Sequence, residues 1–355
     1  MSAEPFAGIV EGFFGKTWNT TARLSMIDFL SDNGYRFYIY APKNDPFLRR
    51  RWREPLPTES LRALHALKAR STERNISLGI GLTPFEIYLN YDTEARSALR
   101  AKVLQLNTIG AEMLCILFDD MRGDIDGITD LQGRVIADIC SWSVAERFIV
   151  CPTYYSYDPI LAKEFGRPAT GYLRDLARTL DPSIDIFWTG EKVISNGYSQ
   201  AHLSEIAHEL GRKPFIWDNH IANDAKLRTN RLFLDPSLRG WHVPIDRVAG
   251  VAINPMNQPF LSQIAMRGYR EILRTGIKAP ASFADISTSV GGAEVGRQLA
   301  KDLELFQTKG LTGIDDGARQ EILDFYAAQG SNPYARDVVA WLSGEYAFDP
   351  QCLTS

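Results

Sequence analysis

The sequence predicts an α/β protein, a (β/α)8 TIM barrel followed by a C-terminal helical region. Three observations point there. Eight short apolar runs alternate with amphipathic helical patterns over roughly 250 residues, the repeat that eight βα units need. The runs are almost continuously apolar rather than alternating, as parallel strands covered on both faces are. Beyond about Pro280 the strands stop and only helical patterns continue. An open doubly wound sheet would share the local patterns. No Gly-x-Gly-x-x-Gly follows the first strand, however, and Gly12 and Gly15 flank Phe13-Phe14, which is no phosphate cradle.

In chain order the predicted strands are Ala7 to Val10, Phe37 to Tyr40, Ile76 to Leu82 and Leu114 to Phe118. Phe148 to Cys151, Ile184 to Trp188, Pro214 to Trp217 and Val248 to Ile253 complete the set. Between them Thr58 to Glu73, Thr93 to Gly110, Thr170 to Leu180 and Gln200 to Leu210 carry helical amphipathicity. The expected division is a catalytic barrel over residues 1–278 and a helical appendage over 279–355, broken at Gly291-Gly292 and at Gly330-Ser331-Asn332-Pro333. Val295 to Phe306 and Arg319 to Ala328 have helix-spaced apolar residues that would pack on the barrel or form a homodimer interface.

At 355 residues, 45% apolar and 23% charged, the chain has the composition of an ordinary globular protein, and disordered or fibrous classes are excluded. A net charge of −4 offers no electrostatic case for nucleic acid or an acidic membrane. The basic run Arg49, Arg50, Arg51 and Arg53 reads as a solvated loop. Met1 to Phe6 has no basic region leading into an apolar stretch, and no segment is long enough to span a bilayer, so a soluble cytoplasmic protein is expected. Cys115, Cys140, Cys151 and Cys352 lack Cys-x-x-Cys spacing and read as reduced thiols, with no zinc and no cofactor.

Barrel enzymes build their sites at the carboxyl ends of the strands. Here those ends read Glu11-Gly12, Ala41-Pro42-Lys43, Thr83-Pro84-Phe85-Glu86, Asp119-Asp120, Pro152-Thr153-Tyr154-Tyr155, Thr189-Gly190, Asp218-Asn219 and Asn254-Pro255. Each carries a group able to hydrogen-bond a ligand. With Trp217 as an aromatic floor, the mouth suits a sugar, whereas an anionic substrate would want more cations than Lys43.

Asp119 and Asp120 are the sharpest feature. Their bland explanation is a helix N-cap followed by a first-turn acid. If both are partly desolvated they cannot both ionise freely, and one becomes a general acid near neutral pH. Adjacent residues are badly placed to flank a scissile bond as two ordinary glycosidase carboxylates do. They suit a substrate that brings its own nucleophile, a 2-acetamido oxygen attacking the anomeric carbon. One acid would then hold the amide N–H and the other would protonate the leaving oxygen. Two alternatives stand beside this: a non-catalytic glycan-binding protein, and metal-assisted hydrolysis using Asp119, Asp120, Asp218, His220 and Asp224.

The chain resembles glycoside hydrolase family 84, the O-GlcNAcases and related β-N-acetylglucosaminidases. The matching segments are Val10-Glu11-Gly12-Phe13-Phe14-Gly15, Tyr40-Ala41-Pro42-Lys43-Asn44-Asp45-Pro46, Phe118-Asp119-Asp120 and Cys151-Pro152-Thr153. Trp188-Thr189-Gly190-x-x-Val193, Trp217-Asp218-Asn219 with Asn223-Asp224, and Asn254-Pro255 follow in the family's order. The resemblance implies retaining, substrate-assisted hydrolysis of β-linked GlcNAc through an oxazoline, with a GlcNAc glycoside or O-GlcNAc glycoprotein as substrate. It implies that Asp119 orients the acetamide, that Asp120 is the acid and then the base, and that Tyr155 steadies the intermediate. By the same resemblance Asn219, Asp224, Lys43, Asn254 and the Gly12 backbone bind the sugar hydroxyls. Trp217 and Thr189 shape the acetamido pocket, and Val193 lies near the aglycone. Phe14 stands where the family usually has Tyr, and Tyr154 where many members have Glu.

Overall fold

A computed structural model describes residues 6–275 and 281–354. Its centre is a closed parallel barrel of eight strands in sequence order. The strands are β1 (Ala7–Glu11), β2 (Phe37–Tyr40), β3 (Ser77–Leu82), β4 (Met113–Leu117), β5 (Arg147–Cys151), β6 (Asp185–Trp188), β7 (Phe215–Asp218) and β8 (Gly250–Ile253). Closure is made by β8 against β1, with Gly8 opposite Ala252, so no sheet edge is left to cover. Every run predicted as a strand is one, with bounds shifted by one or two residues.

The crossovers are helical: α1 (Thr20–Asp32), α2 (Thr58–Glu73), α3 (Thr93–Asn107), α4 (Ile128–Trp142), α5 (Pro159–Phe165), α6 (Tyr172–Thr179), α7 (Gln200–Leu210) and α8 (Pro259–Thr275). Their starts are written locally. Asn19, Asp92 and Ser199 each accept an amide hydrogen in the first turn of α1, α3 and α7, and Pro159 stands at the start of α5 behind Asp158.

Four further helices follow: α9 (Phe283–Gly291), α10 (Ala293–Leu303), α11 (Asp316–Ala328) and α12 (Pro333–Leu342), with a short π-helical turn at Glu304–Lys309. They pack on the barrel. The Asp337 carboxylate of α12 accepts the Phe260 and Leu261 amides at 2.8 and 3.1 Å, capping the first turn of α8 from outside it. Trp341 Nε1 donates to the Thr229 carbonyl at 3.1 Å, and Phe306 packs edge-on against Trp341. The expected boundary between residues 278 and 279 lies outside the described residues. Among the described residues no helix is long and apolar enough to cross a membrane.

The basic run needs correcting. Arg50, Arg51 and Arg53 are exposed, but Arg49 is 4% exposed. Its guanidinium stacks 4.6 Å from the Phe85 ring centre, because the turn after β2 folds back onto the end of β3.

Candidate active site

A cavity opens at the carboxyl end of the barrel. Gly12, Lys43, Asp119, Asp120, Tyr155, Thr189, Val193, Trp217, Asn219, Asp224 and Asn254 all line it, so the structure brings together every residue to which the family resemblance gave a role. Seven of the eight strand ends contribute. The exception is β3, against expectation. The Thr83 amide is tied to the Leu48 carbonyl at 2.8 Å and Phe85 lies under Arg49, so this end is used for packing. Glu11 is also corrected: fully buried, it is clasped by Arg23 at 2.7 to 3.2 Å and takes the Tyr38 hydroxyl, leaving Gly12 as the site residue of that motif.

Asp119 and Asp120 do not cap a helix, since α4 begins at Ile128 behind Gly127. Side chains of a strand alternate between faces, so two consecutive residues reach one cavity only if the alternation breaks. Asp120 breaks it by adopting the left-handed region at φ 57°. An Asp tolerates this better than most residues, at a cost of roughly 1–2 kcal/mol.

The two carboxylates have different surroundings. Lys43 donates to Asp119 Oδ2 inside the barrel mouth, while Asp119 Oδ1 is buried with no partner in the protein. Burial depresses the Lys43 ammonium, but the charges of Asp119 and Asp120 outweigh it, and its pKa is raised. Asp120 has its carboxyl raised to about 6, first by burial and then by the neighbouring charge of Asp119, with Lys43 and Arg49 opposing. Asp224, half-buried and with its pKa raised by desolvation, accepts the Phe14 amide at 2.8 Å.

The opposite wall is a polar lattice. Asn219 Oδ1 accepts from Trp217 Nε1 at 3.0 Å and from Asn254 Nδ2 at 2.9 Å, and Asn219 Nδ2 donates to the Val193 carbonyl at 2.9 Å. Asn254 Oδ1 in turn accepts the Gly12 amide at 3.2 Å. Thr189 binds the Lys192 carbonyl through its hydroxyl at 3.0 Å and holds the Tyr155 backbone through its amide at 2.9 Å. The Trp217 ring lies over Gly12, where a Cβ would stand 2.3 Å from Cζ2 of the indole. Glycine there is a requirement of space.

The donors of the metal alternative do not converge. Asp218 points away from the cavity and accepts from Tyr198, Trp241 and Tyr269 at 2.7 to 2.9 Å. Among the described residues no three His, Cys, Asp or Glu side chains are grouped as a metal would need.

Sequence reasoning missed part of the lining. Phe14, Cys151, Ile194, Ala222 and Ala225 also face the cavity, and so do Cys352 and Thr354 from the segment after α12. Phe14, Cys151, Ala222 and Ala225 lie within or beside motifs already noted, whereas no local signal in Cys352 or Thr354 betrays contact with a barrel mouth.

A family model described as beta-N-acetylglucosaminidase matches residues 7–302. The chain belongs to the beta-N-acetylglucosaminidase family. It is 30% identical over 261 residues to the protein O-GlcNAcase of Rattus norvegicus, and 30% identical over 258 residues to that of Mus musculus. Each match covers 70% of this chain, which spans about 28% of the length of these relatives. Among solved structures, a mutant of the Thermobaculum terrenum O-GlcNAc hydrolase superposes with a TM-score of 0.71 at 24% identity, over 95% of this chain and 80% of that one. CpGH84B superposes at 0.73 and 22% identity, over 96% and 67%. These two show the shared fold.

Two departures from the pattern of this β-N-acetylglucosaminidase family now have places. Phe14 keeps its backbone in the site through Asp224 and Asn257 while its ring lines the cavity without a hydroxyl. Tyr154 lies outside the cavity lining and donates to the Gly166 carbonyl at 2.7 Å.

Proposed function

We propose that this chain is a retaining β-N-acetylglucosaminidase that removes terminal β-linked GlcNAc, as from O-GlcNAc glycoproteins, by substrate-assisted catalysis. The observation that carries the reading is the asymmetry of the two adjacent carboxyls. One is held by Lys43 with a free buried oxygen, and the other has its pKa raised to about 6. Asp119 Oδ1 takes the acetamide N–H and turns the acetamido oxygen toward the anomeric carbon. That oxygen forms a bond to the carbon as the glycosidic bond breaks, and the Asp120 proton passes to the leaving oxygen. Asp120, now a carboxylate, removes a proton from water. The water adds to the face of the anomeric carbon that the leaving group vacated, opposite the oxazoline oxygen, whose bond to that carbon breaks, and configuration is retained. Tyr155 steadies the oxazoline. Lys43, Asp224, Asn219, Asn254 and the Gly12 backbone hold the sugar, Trp217 and Thr189 wall the acetamido group, and Val193 borders the aglycone.

The test compares an aryl β-GlcNAc with its 2-amino analogue lacking the acetyl group. Only the acetylated substrate should turn over, and comparable rates on both would refute acetamido participation. A non-catalytic glycan binder would turn over neither.

Free thiols at all four cysteines support placing the protein in a reducing compartment such as the cytoplasm. For a homodimer through the C-terminal helices the support is slight. Among the described residues the exposed large hydrophobics lie outside α9 to α12, which pack on one another and on α8.

A further inference from the structure

The segment after α12 runs across the barrel mouth and brings Cys352 and Thr354 to the cavity wall. Two tethers hold it to the loops after β1 and β2. Glu345 pairs with Lys16 at 2.5 Å, and Lys16 also stands 5.0 Å above the Tyr346 ring. Farther along, Arg50 Nε donates to Gln351 Oε1 at 3.1 Å. Between them the chain turns, with the Cys352 amide on the Asp349 carbonyl at 3.0 Å. Cys352 and Thr354 then line the same cavity as Asp119 and Asp120.

Their neighbours are the groups read above as holding the sugar. The Cys352 side chain, 8% exposed, feels the charges of Asp224, Asp120 and Lys43, which come from the ends of three different strands. Thr354 borders the same space as Tyr155. Side chains that wall the space shared by Lys43, Asp120, Tyr155 and Asp224 take up room that a pyranose ring would need. Tyr346 is buried in the hydrophobic core and anchors the start of the strap; past it the tether is the exposed Arg50–Gln351 hydrogen bond, worth about 1 kcal/mol. Such a hold can be released.

We propose that residues 347–354, anchored at Tyr346, form an autoinhibitory strap, which crowds the sugar's place and withdraws from it when substrate binds. The inference rests on the reading of this cavity as the sugar site. If the strap is closed nine-tenths of the time, apparent affinity for the sugar is lowered about tenfold, and freeing the strap restores it.

Ligands usually shield a cysteine in the cavity they fill; here the sugar should expose one. Alkylation of Cys352 by iodoacetamide, followed by peptide mapping with Cys140 as internal reference, should become about tenfold faster at saturating GlcNAc. A chain ending at Ala347 should bind GlcNAc about tenfold more tightly by calorimetry. Arg50→Ala, which cuts one tether outside the cavity, should move both readouts the same way and serves if the shortened chain fails to fold. Slower or unchanged alkylation with GlcNAc, or unchanged or weaker binding by the released variants, overturns the strap. GlcNAc binding to neither the full nor the shortened chain would instead remove the sugar-site reading.

Discussion

Replacing Asp120 by Asn should make the protein more stable and less active. The Asp120 carboxyl is raised from 3.8 to about 6 by burial and by Asp119. Between those values the folded state binds more protons than the unfolded chain, so stability falls as pH rises through that window, and the full penalty is present above about pH 6. A shift of about two units corresponds to roughly 3 kcal/mol. Asn removes the titration, accepts the left-handed backbone at φ 57° as well as Asp does, and keeps the size. For a chain of this length 3 kcal/mol raises Tm by about 4 °C. Melting curves of both proteins at pH 4 and pH 7.5 should therefore diverge only at the higher pH. In the same variant kcat should drop about 10²–10⁴-fold on glycosides with poor leaving groups, and much less on an aryl glycoside whose acidic leaving group needs little protonation. A variant no more stable than the parent at pH 7.5 would refute the buried, protonation-favouring environment. Equal losses on good and poor leaving groups would refute the acid's role.

Gly12→Ala places a methyl 2.3 Å from Trp217 Cζ2 and should tilt the indole, costing about 1–3 kcal/mol of transition-state binding, seen as a tenfold or greater fall in kcat/KM. Asp218→Ala strands three buried donors from Tyr198, Trp241 and Tyr269 and should lower stability by about 3 kcal/mol or more in denaturant titrations. Activity of the parent should be indifferent to EDTA, a loss with chelator being the mark of the metal alternative. Lys43→Gln removes a charge that lowers the Asp120 pKa, so the basic limb of the kcat/KM profile, expected near pH 6 in the parent, should move to higher pH; movement to lower pH contradicts the assignment.

The barrel was readable because parallel strands advertise themselves. Runs such as Met113 to Leu117 must satisfy apolar surroundings on both sides, and the helices between them carry a different period. The site was readable by position, since each chemical group stands just past such a run. What escaped is whatever depends on contacts distant in sequence. Arg49 looks like its solvated neighbours Arg50 and Arg51, and only the fold of the turn onto Phe85 buries it. Glu11 looks like a ligand-binding acid until Arg23, one helix later, closes on it. Cys352 and Thr354 lie more than 200 residues from Asp120 along the chain, and no local pattern could bring them to it.

The adjacency of Asp119 and Asp120 illustrates how sequence and structure divide the argument. Adjacency alone excludes the two-sided geometry of an ordinary glycosidase, a deduction available from sequence. It does not say how consecutive side chains enter one cavity or which of them is the acid. The left-handed turn at Asp120 answers the first question, because without it one carboxyl would face away. Lys43 answers the second. It donates to one oxygen of Asp119, while burial and the neighbouring charge of Asp119 raise the proton affinity of Asp120 against the opposing charge of Lys43. Two chemically identical residues so take different roles: one oxygen of Asp119 remains without a protein partner and can accept an amide hydrogen, and Asp120, its pKa raised to about 6, can hold a proton where a leaving group collects it.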